Sequence, residues 1–310
     1  MQAADAFVYT PWTFEDLQED CMWRKRKKRE KKPAVILRLV WRFGYKPGRV
    51  MREVLEWIEV FAVAGAMAAL IMTFVTVRMH VPTGSMIPTI GKGHSFFVDR
   101  ITYYFRDPKP GNIVVFRHPR ALLVRKIEAG SQAEEAGMKP GETIAEGTRA
   151  AYIGRTSIYT GSNLIDAIAA VPSGEPILLT TLEGNAYNLG VKSEDQSTLE
   201  DLGISIREKH MLYVKRLIAI EGQTIQIRGG DLYVDGERLE GELFERPYYS
   251  NSFQYQYGVE PTVVPEDHYF MLGDNSANSF DSRFWGFVDD KDIVGVPYLR
   301  VWPLTHFGAM

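Results

Sequence analysis

Cysteine is almost missing from this chain. Its 310 residues include only Cys21, so no intramolecular disulfide can form and no cysteine cluster can hold zinc. The six histidines fall at none of the H-x-x-H, H-x-x-x-H or H-E-x-x-H spacings, so neither a metal site nor a cofactor is expected. Long apolar runs are nearly as scarce. Residues 60–77 (VFAVAGAMAALIMTFVTV) form the single uncharged stretch of 18 residues, about 27 Å as a helix and close to the hydrocarbon thickness of a bilayer. The run starts late and no small-residue cleavage site precedes Arg78, so an uncleaved transmembrane helix is expected over 58–78, bracketed by Trp57 and Arg78.

No acid falls between Lys31 and Arg52, ahead of that run. Residues 24–32 (RKRKKREKK) carry eight positive charges and one negative, and Arg38, Arg42, Lys46, Arg49 and Arg52 follow. A basic block flanking an apolar span obeys the positive-inside rule, which places residues 1–57 in the cytoplasm and argues against nucleic acid as the partner. Apolar residues interspersed with arginines over 33–45 suggest a segment lying on the membrane surface. Everything after Arg78 then lies on the outer face of the membrane.

That outer part alternates like β structure. Strands are expected at 95–99, 111–116, 213–220 and 224–228, with a hairpin over 231–239 turning at Asp235-Gly236. Between the two β-rich parts the texture changes: a strand at 122–128, the run Gly130-Ser131-Gln132-Ala133-Glu134-Glu135-Ala136-Gly137-Met138-Lys139-Pro140-Gly141-Glu142-Thr143-Ile144, a helix over 162–171 and a strand at 176–182. This region resembles a bacterial-type PDZ domain, a fold that binds extended peptides by strand addition. The resemblance implies a groove between Ala121, Leu122, Leu123 and Val124 on one side and Leu164 and Ile168 of the helix on the other, with a peptide or protein as ligand. Residues 117–120 (RHPR) stand where such domains carry a glycine-containing carboxylate-binding loop.

Ser85 lies in Pro82-Thr83-Gly84-Ser85-Met86-Ile87-Pro88-Thr89, a few residues beyond the apolar run. A serine nucleophile needs a base, and no histidine has a distinctive setting. Lys215, in the apolar stretch 212–220 (LYVKRLIAI), can serve if it is neutral, which needs its pKa lowered by about 3 units, roughly 4 kcal/mol against the charged form. Burial can supply that. A third feature, 272–286 (LGDNSANSFDSRFWG), packs hydroxyls, carboxylates and an arginine into one loop.

Together these three stretches resemble the type I signal peptidases, membrane-anchored Ser-Lys enzymes that remove signal peptides from exported pre-proteins after small residues. The resemblance implies a mainly β catalytic domain in two parts, 79–118 and 208–310, interrupted by a PDZ-like α+β insertion at 119–207. Carried over by position, Ser85 is the nucleophile and Lys215 the base. Thr83 joins the Ser85 backbone N–H in an oxyanion hole, Ser279 orients the lysine, and Asp281 and Arg283 form a structural ion pair. Val81, Pro82, Met86, Ile90, Tyr213 and Val214 wall the substrate pocket. Asn112 and residues 221–224 (EGQT) depart from the family pattern, away from the chemistry. Trp285, Phe284 and Trp302 are candidates to dip into lipid. The implied partners are signal peptides and membrane lipid. The implied location is a bacterial inner membrane, crossed once. The competing reading is a membrane-tethered PDZ scaffold with an inactive protease domain.

Overall fold

The computed structural model describes residues 36, 38, 42–44, 47–194, 198–242, 244 and 257–310. The basic run 24–32, Cys21 and most of 33–45 lie outside the described residues. The chain divides into two compact units, Met1–Ala69 and Leu70–Met310.

Helix α1 (Arg49–Leu70) is apolar around most of its circumference beyond Glu59, and none of its residues is buried. With the π-helical turn Ile71–Val75 it makes 27 residues, about 40 Å, one helix long and apolar enough to cross a membrane. It ends earlier than the sequence suggested. The β-branched and aromatic residues Thr73, Phe74, Val75, Thr76 and Val77 favour extended backbone, and strand β1 (Thr76–His80) takes over inside the expected span.

Strand β1 pairs with β2 (Ser95–Asp99), as register Met79↔Phe96 shows. The expected strands at 111–116 and 122–128 are one strand, β3 (Ile113–Ile127). Next come β4 (Thr143–Glu146), the hairpin of β5 (Arg149–Ile153) and β6 (Thr156–Ile158), helix α2 (Gly161–Ala169), β7 (Pro176–Thr180) and β8 (Ala186–Val191). Strand β9 (Ile204–Ile220) is 17 residues long, and its residues 204–216 run antiparallel to β3, from Ile113↔Arg216 to Ile127↔Ile204, with two register shifts. The small sheet beyond it contains β10 (Thr224–Arg228), β11 (Asp231–Val234) and β12 (Glu237–Arg238). Asp235 (φ 53°) and Gly236 (φ 82°) both take the positive φ that a tight hairpin turn requires. Strand β13 (Thr262–Val263) closes that sheet, and β14 (His268–Leu272) pairs with the C-terminal end of β9. Strands β15 (Val288–Asp289), β16 (Ile293–Trp302) and β17 (Gly308–Ala309) follow, and β16 bridges β2 and β3.

The long β3–β9 ribbon corrects two expectations. Boundaries at 118/119 and 207/208 fall inside paired strands, so residues 119–207 grow out of the ribbon rather than hanging from linkers. The expected peptide groove is occupied by the chain itself. Ala121, Leu122 and Leu123 pair with β4 on one edge and with Lys209, Glu208 and Arg207 of β9 on the other. Gly161 N donates to Glu208 Oε1 (2.8 Å), which places β9 against the start of α2. Leu122, Val124, Leu164 and Ile168 are buried in the core of the insertion. No strand edge is left beside Ala121–Leu123 for a peptide to join, because β9 has joined it. Residues 117–120 form no loop; Arg117, His118 and Pro119 pair with Leu212, Met211 and His210.

Candidate active site

Ser85 sits in a turn after β1, held over an apolar cluster of Met79, Val81, Met86, Ile90, Phe96, Val98, Val115 and Val214. Its loop is gripped by the segment after β14: Asn275 N donates to Ser85 O (2.9 Å) and Asn275 Nδ2 to Gly84 O (3.0 Å). Gly273 is needed for that approach. A Cβ there would lie 2.1 Å from Ser279 Oγ and 2.6 Å from Ser85 O.

Lys215 enters from β9 opposite Val114 and is 2% exposed. Burial is the main reason its pKa falls to about 8; Arg283 lowers it further, while Asp281 and Asp274 work the other way. Ser85, Lys215, Thr83 and Ser279 all line one cleft of about 760 Å³. Thr83 Oγ1 and Ser85 Oγ are 3.5 Å apart. Ser279 Oγ is buried and, among the described residues, has no hydrogen-bond partner; no bond joins Lys215 Nζ to Ser85 Oγ. Such contacts commonly tighten only when substrate is present. His118, buried on β3 with its ring 4.3 Å from that of Trp285, is pushed down to about 3, mainly by burial.

Asp281 and Arg283 form a bidentate pair with fully buried side chains (Nε–Oδ1 2.8 Å, Nη2–Oδ2 2.9 Å). Arg283 also donates to Ser276 Oγ and Ser276 O (2.8 Å each), and Asp281 Oδ2 accepts from Gly273 N (3.1 Å). The pair therefore fixes the loop that carries Ser279. Asp281→Ala would leave a buried, uncompensated guanidinium, so a loss of about 3–5 kcal/mol is expected in chemical denaturation of the full chain.

The family described as "Signal peptidase, peptidase S26" matches residues 54–302. The chain belongs to the peptidase S26 family of signal peptidases. Signal peptidase I of Leptolyngbya laminosa is 24% identical over 256 residues, covering 83% of each chain. Probable signal peptidase I-1 of Synechocystis is 24% identical over 255 residues, 82% of this chain and 86% of that one. The crystal structure of a signal peptidase I from Enterococcus faecalis aligns at 33% identity over 28% of this chain and 82% of its own, with a TM-score of 0.23.

Within this signal peptidase the expected pocket divides. Val81, Pro82, Tyr213 and Val214 line the cleft; Met86 and Ile90 do not, being fully buried in the cluster beneath Ser85. Met79, Leu212, Ala277 and Phe280 line it too and were not anticipated, although alternation along β1 pairs Met79 with Val81. Trp285 is 1% exposed and cannot dip into lipid, whereas Trp302 is 54% exposed. A second buried pair also escaped notice. Arg216 donates to Asp274 through Nε (2.7 Å) and Nη2 (2.6 Å), and to Gly111 O through Nη1 (2.6 Å). Thr89 Oγ1 donates to the same carboxylate, tying the serine loop to β9. The signal was available: an arginine beside Lys215 inside an apolar strand needs a buried acid.

Proposed function

We propose that this chain is a signal peptidase I that cleaves pre-proteins after small residues, with Ser85 as nucleophile and Lys215 as general base. The observation that carries this reading is a lysine 2% exposed, lowered to about 8, sharing a cleft with Ser85, Thr83 and Ser279. The substrate lies extended between two strand edges. Five consecutive residues of β9, Met211 to Lys215, line the cleft, which a strand achieves only edge-on, since alternate side chains point to opposite faces. On the facing side stand Met79, Val81, Pro82 and Thr83. Backbone hydrogen bonding to such edges suits any sequence, and a pocket of modest walls selects small side chains.

Neutral Lys215 takes the proton of Ser85 Oγ as the oxygen attacks the carbonyl carbon after the terminal small residue. Thr83 Oγ1 and Ser85 N–H donate to the developing oxyanion. The proton passes to the departing amine, the acyl-enzyme forms, and Lys215 then activates water to release the signal peptide's new carboxyl end. The apolar helix holds the site beside the membrane, with the N-terminus cytoplasmic and the catalytic domain on the outer face of a bacterial inner membrane. Phospholipid is the second partner.

The test is cleavage of a pre-protein by the full chain in lipid vesicles, with the new N-terminus sequenced. Cleavage after a small residue is expected, and an intact pre-protein would refute the reading. A pH profile adds to it. Only neutral Lys215 is a base, so kcat/KM should rise about tenfold per pH unit below pH 7, reach half its maximum near pH 8 and level off above about pH 9. A flat profile between pH 6 and 9 would remove Lys215 from the mechanism.

A further inference from the structure

The insertion does more than decorate the ribbon: it builds one end of the catalytic cleft. In the β5–β6 hairpin, Ala151, Ile153 and Ile158 face the insertion's own core, so alternation turns Tyr152 and its cross-strand partner Ser157 the other way. Both line the cleft, together with Thr148 and Arg155, the latter at the two-residue turn after Gly154 (φ 60°). The hairpin is fixed in place. Tyr159 packs edge-on against Phe280 at 4.9 Å, and Asn163 Nδ2 donates to Trp285 O and Tyr257 Oη, 3.1 Å each.

The charge in this cleft is one-sided. Arg120 lines it from β3, its Nη1 3.7 Å from Met211 Sδ, and Arg155 lines it from the hairpin. No aspartate or glutamate is among the lining residues, and among the described residues neither arginine is in an ion pair. We propose that this arginine-bearing end, whose two arginines both fall within residues 119–207, binds an aspartate or glutamate side chain of the pre-protein on the segment preceding the scissile bond. The proposal rests on the protease reading, in which Tyr213 and Val214 accept the residues before that bond. Continuing along β9 in the same direction leads to Leu212, Met211 and Arg120. Four residues of strand separate Lys215 from Met211, about 14 Å, so the carboxylate falls roughly four to six residues before the cleaved bond.

The experiment uses the full chain in detergent micelles and three peptides that differ only at positions four to six before the cleavage site, carrying Glu, Gln or Lys. The wild-type chain should cleave the Glu peptide about five- to tenfold better than the Lys peptide in kcat/KM. The difference should lie mainly in KM and shrink at 1 M salt. In the Arg120→Glu/Arg155→Glu chain the order should invert, with the Lys peptide preferred. Lys139→Glu, on the insertion but outside the cleft, should leave the wild-type order. An inverted order cannot come from misfolding, which lowers all three rates together. Cleavage of the Gln peptide with no Glu-over-Lys preference, or a preference that survives the double reversal, overturns the inference and leaves the protease reading standing. No cleavage of any peptide by the wild-type chain overturns both.

Discussion

Lys215→Met is expected to abolish pre-protein cleavage while making the folded chain more stable at neutral pH. Both effects follow from one burial. Lys215 is 2% exposed, and its pKa lies near 8 rather than 10.5. At pH 7 the folded state holds a proton it binds less tightly than the unfolded state does, a cost of about 3 kcal/mol. The sign follows from the direction of the shift. The cost is fully present below pH 8, where the amine is charged in both states, declines as pH rises through 8 to 10.5, and vanishes above 10.5. Methionine of similar length on the face that Val114 and Leu217 share carries no such cost, so a gain of up to about 3 kcal/mol at pH 7 is expected, smaller at pH 9.5. Without the base, and equally in Ser85→Ala, cleavage should fall by about 10⁴-fold or more, as removal of a nucleophile or its base does elsewhere. Initial rates with purified pre-protein and denaturation at the two pH values check both halves. A Lys215→Met chain that still cleaves would remove the proposed base, and one less stable than the parent at pH 7 would contradict the burial.

The residues that share the cleft were more legible in the sequence than the architecture that holds them. Ser85, Thr83, Lys215 and Ser279 each carry a short local signature, whereas the burial of Lys215 was not readable from its strand alone. Local patterns also foretold β2, β10, the Asp235-Gly236 hairpin and α2. What sequence could not show is where strands meet. The composition of residues 119–207 suggested an independent domain with an open peptide edge, but edge occupancy depends on the register of β9, whose first third (Ile204 to Lys209) ends in the charged run Arg207-Glu208-Lys209 and does not read as one strand with 213–220. Once β9 is seen to run along β3, the filled groove and the hairpin beside the active site follow together. The demotion of Met86 and Ile90 has the same origin. Both are apolar residues near Ser85, and only their packing with Phe96, Val98 and Val115, from strands distant in sequence, takes them out of the cleft.

The tightest constraint in the site is a missing side chain. Gly273 follows β14, where the loop from Asp274 to Ser279 turns back against the serine turn. Any Cβ at this position would meet Ser279 Cβ at 2.6 Å and Ser85 O at 2.6 Å, well inside contact distance, and the second is backbone that cannot rotate away. Gly273→Ala must therefore push the two loops apart. The Asn275 N–H would leave Ser85 O, and Ser279 would move relative to Lys215. Displacements near 1 Å cost about 10²-fold in rate when reacting groups must be aligned, so a loss of that order in kcat is expected, with KM changing little because the β1 and β9 edges are untouched. Stability should also fall, by about 1–3 kcal/mol as for other overpacked sites. The contrast with Gly184 makes the case specific. That glycine has nothing within 4 Å of its Cβ position, and although its φ of 84° makes alanine strained, Gly184→Ala should lower stability without lowering kcat. Equal losses of kcat in the two variants would mean that backbone strain, and not the contact between the Ser279 and Ser85 loops, governs the rate.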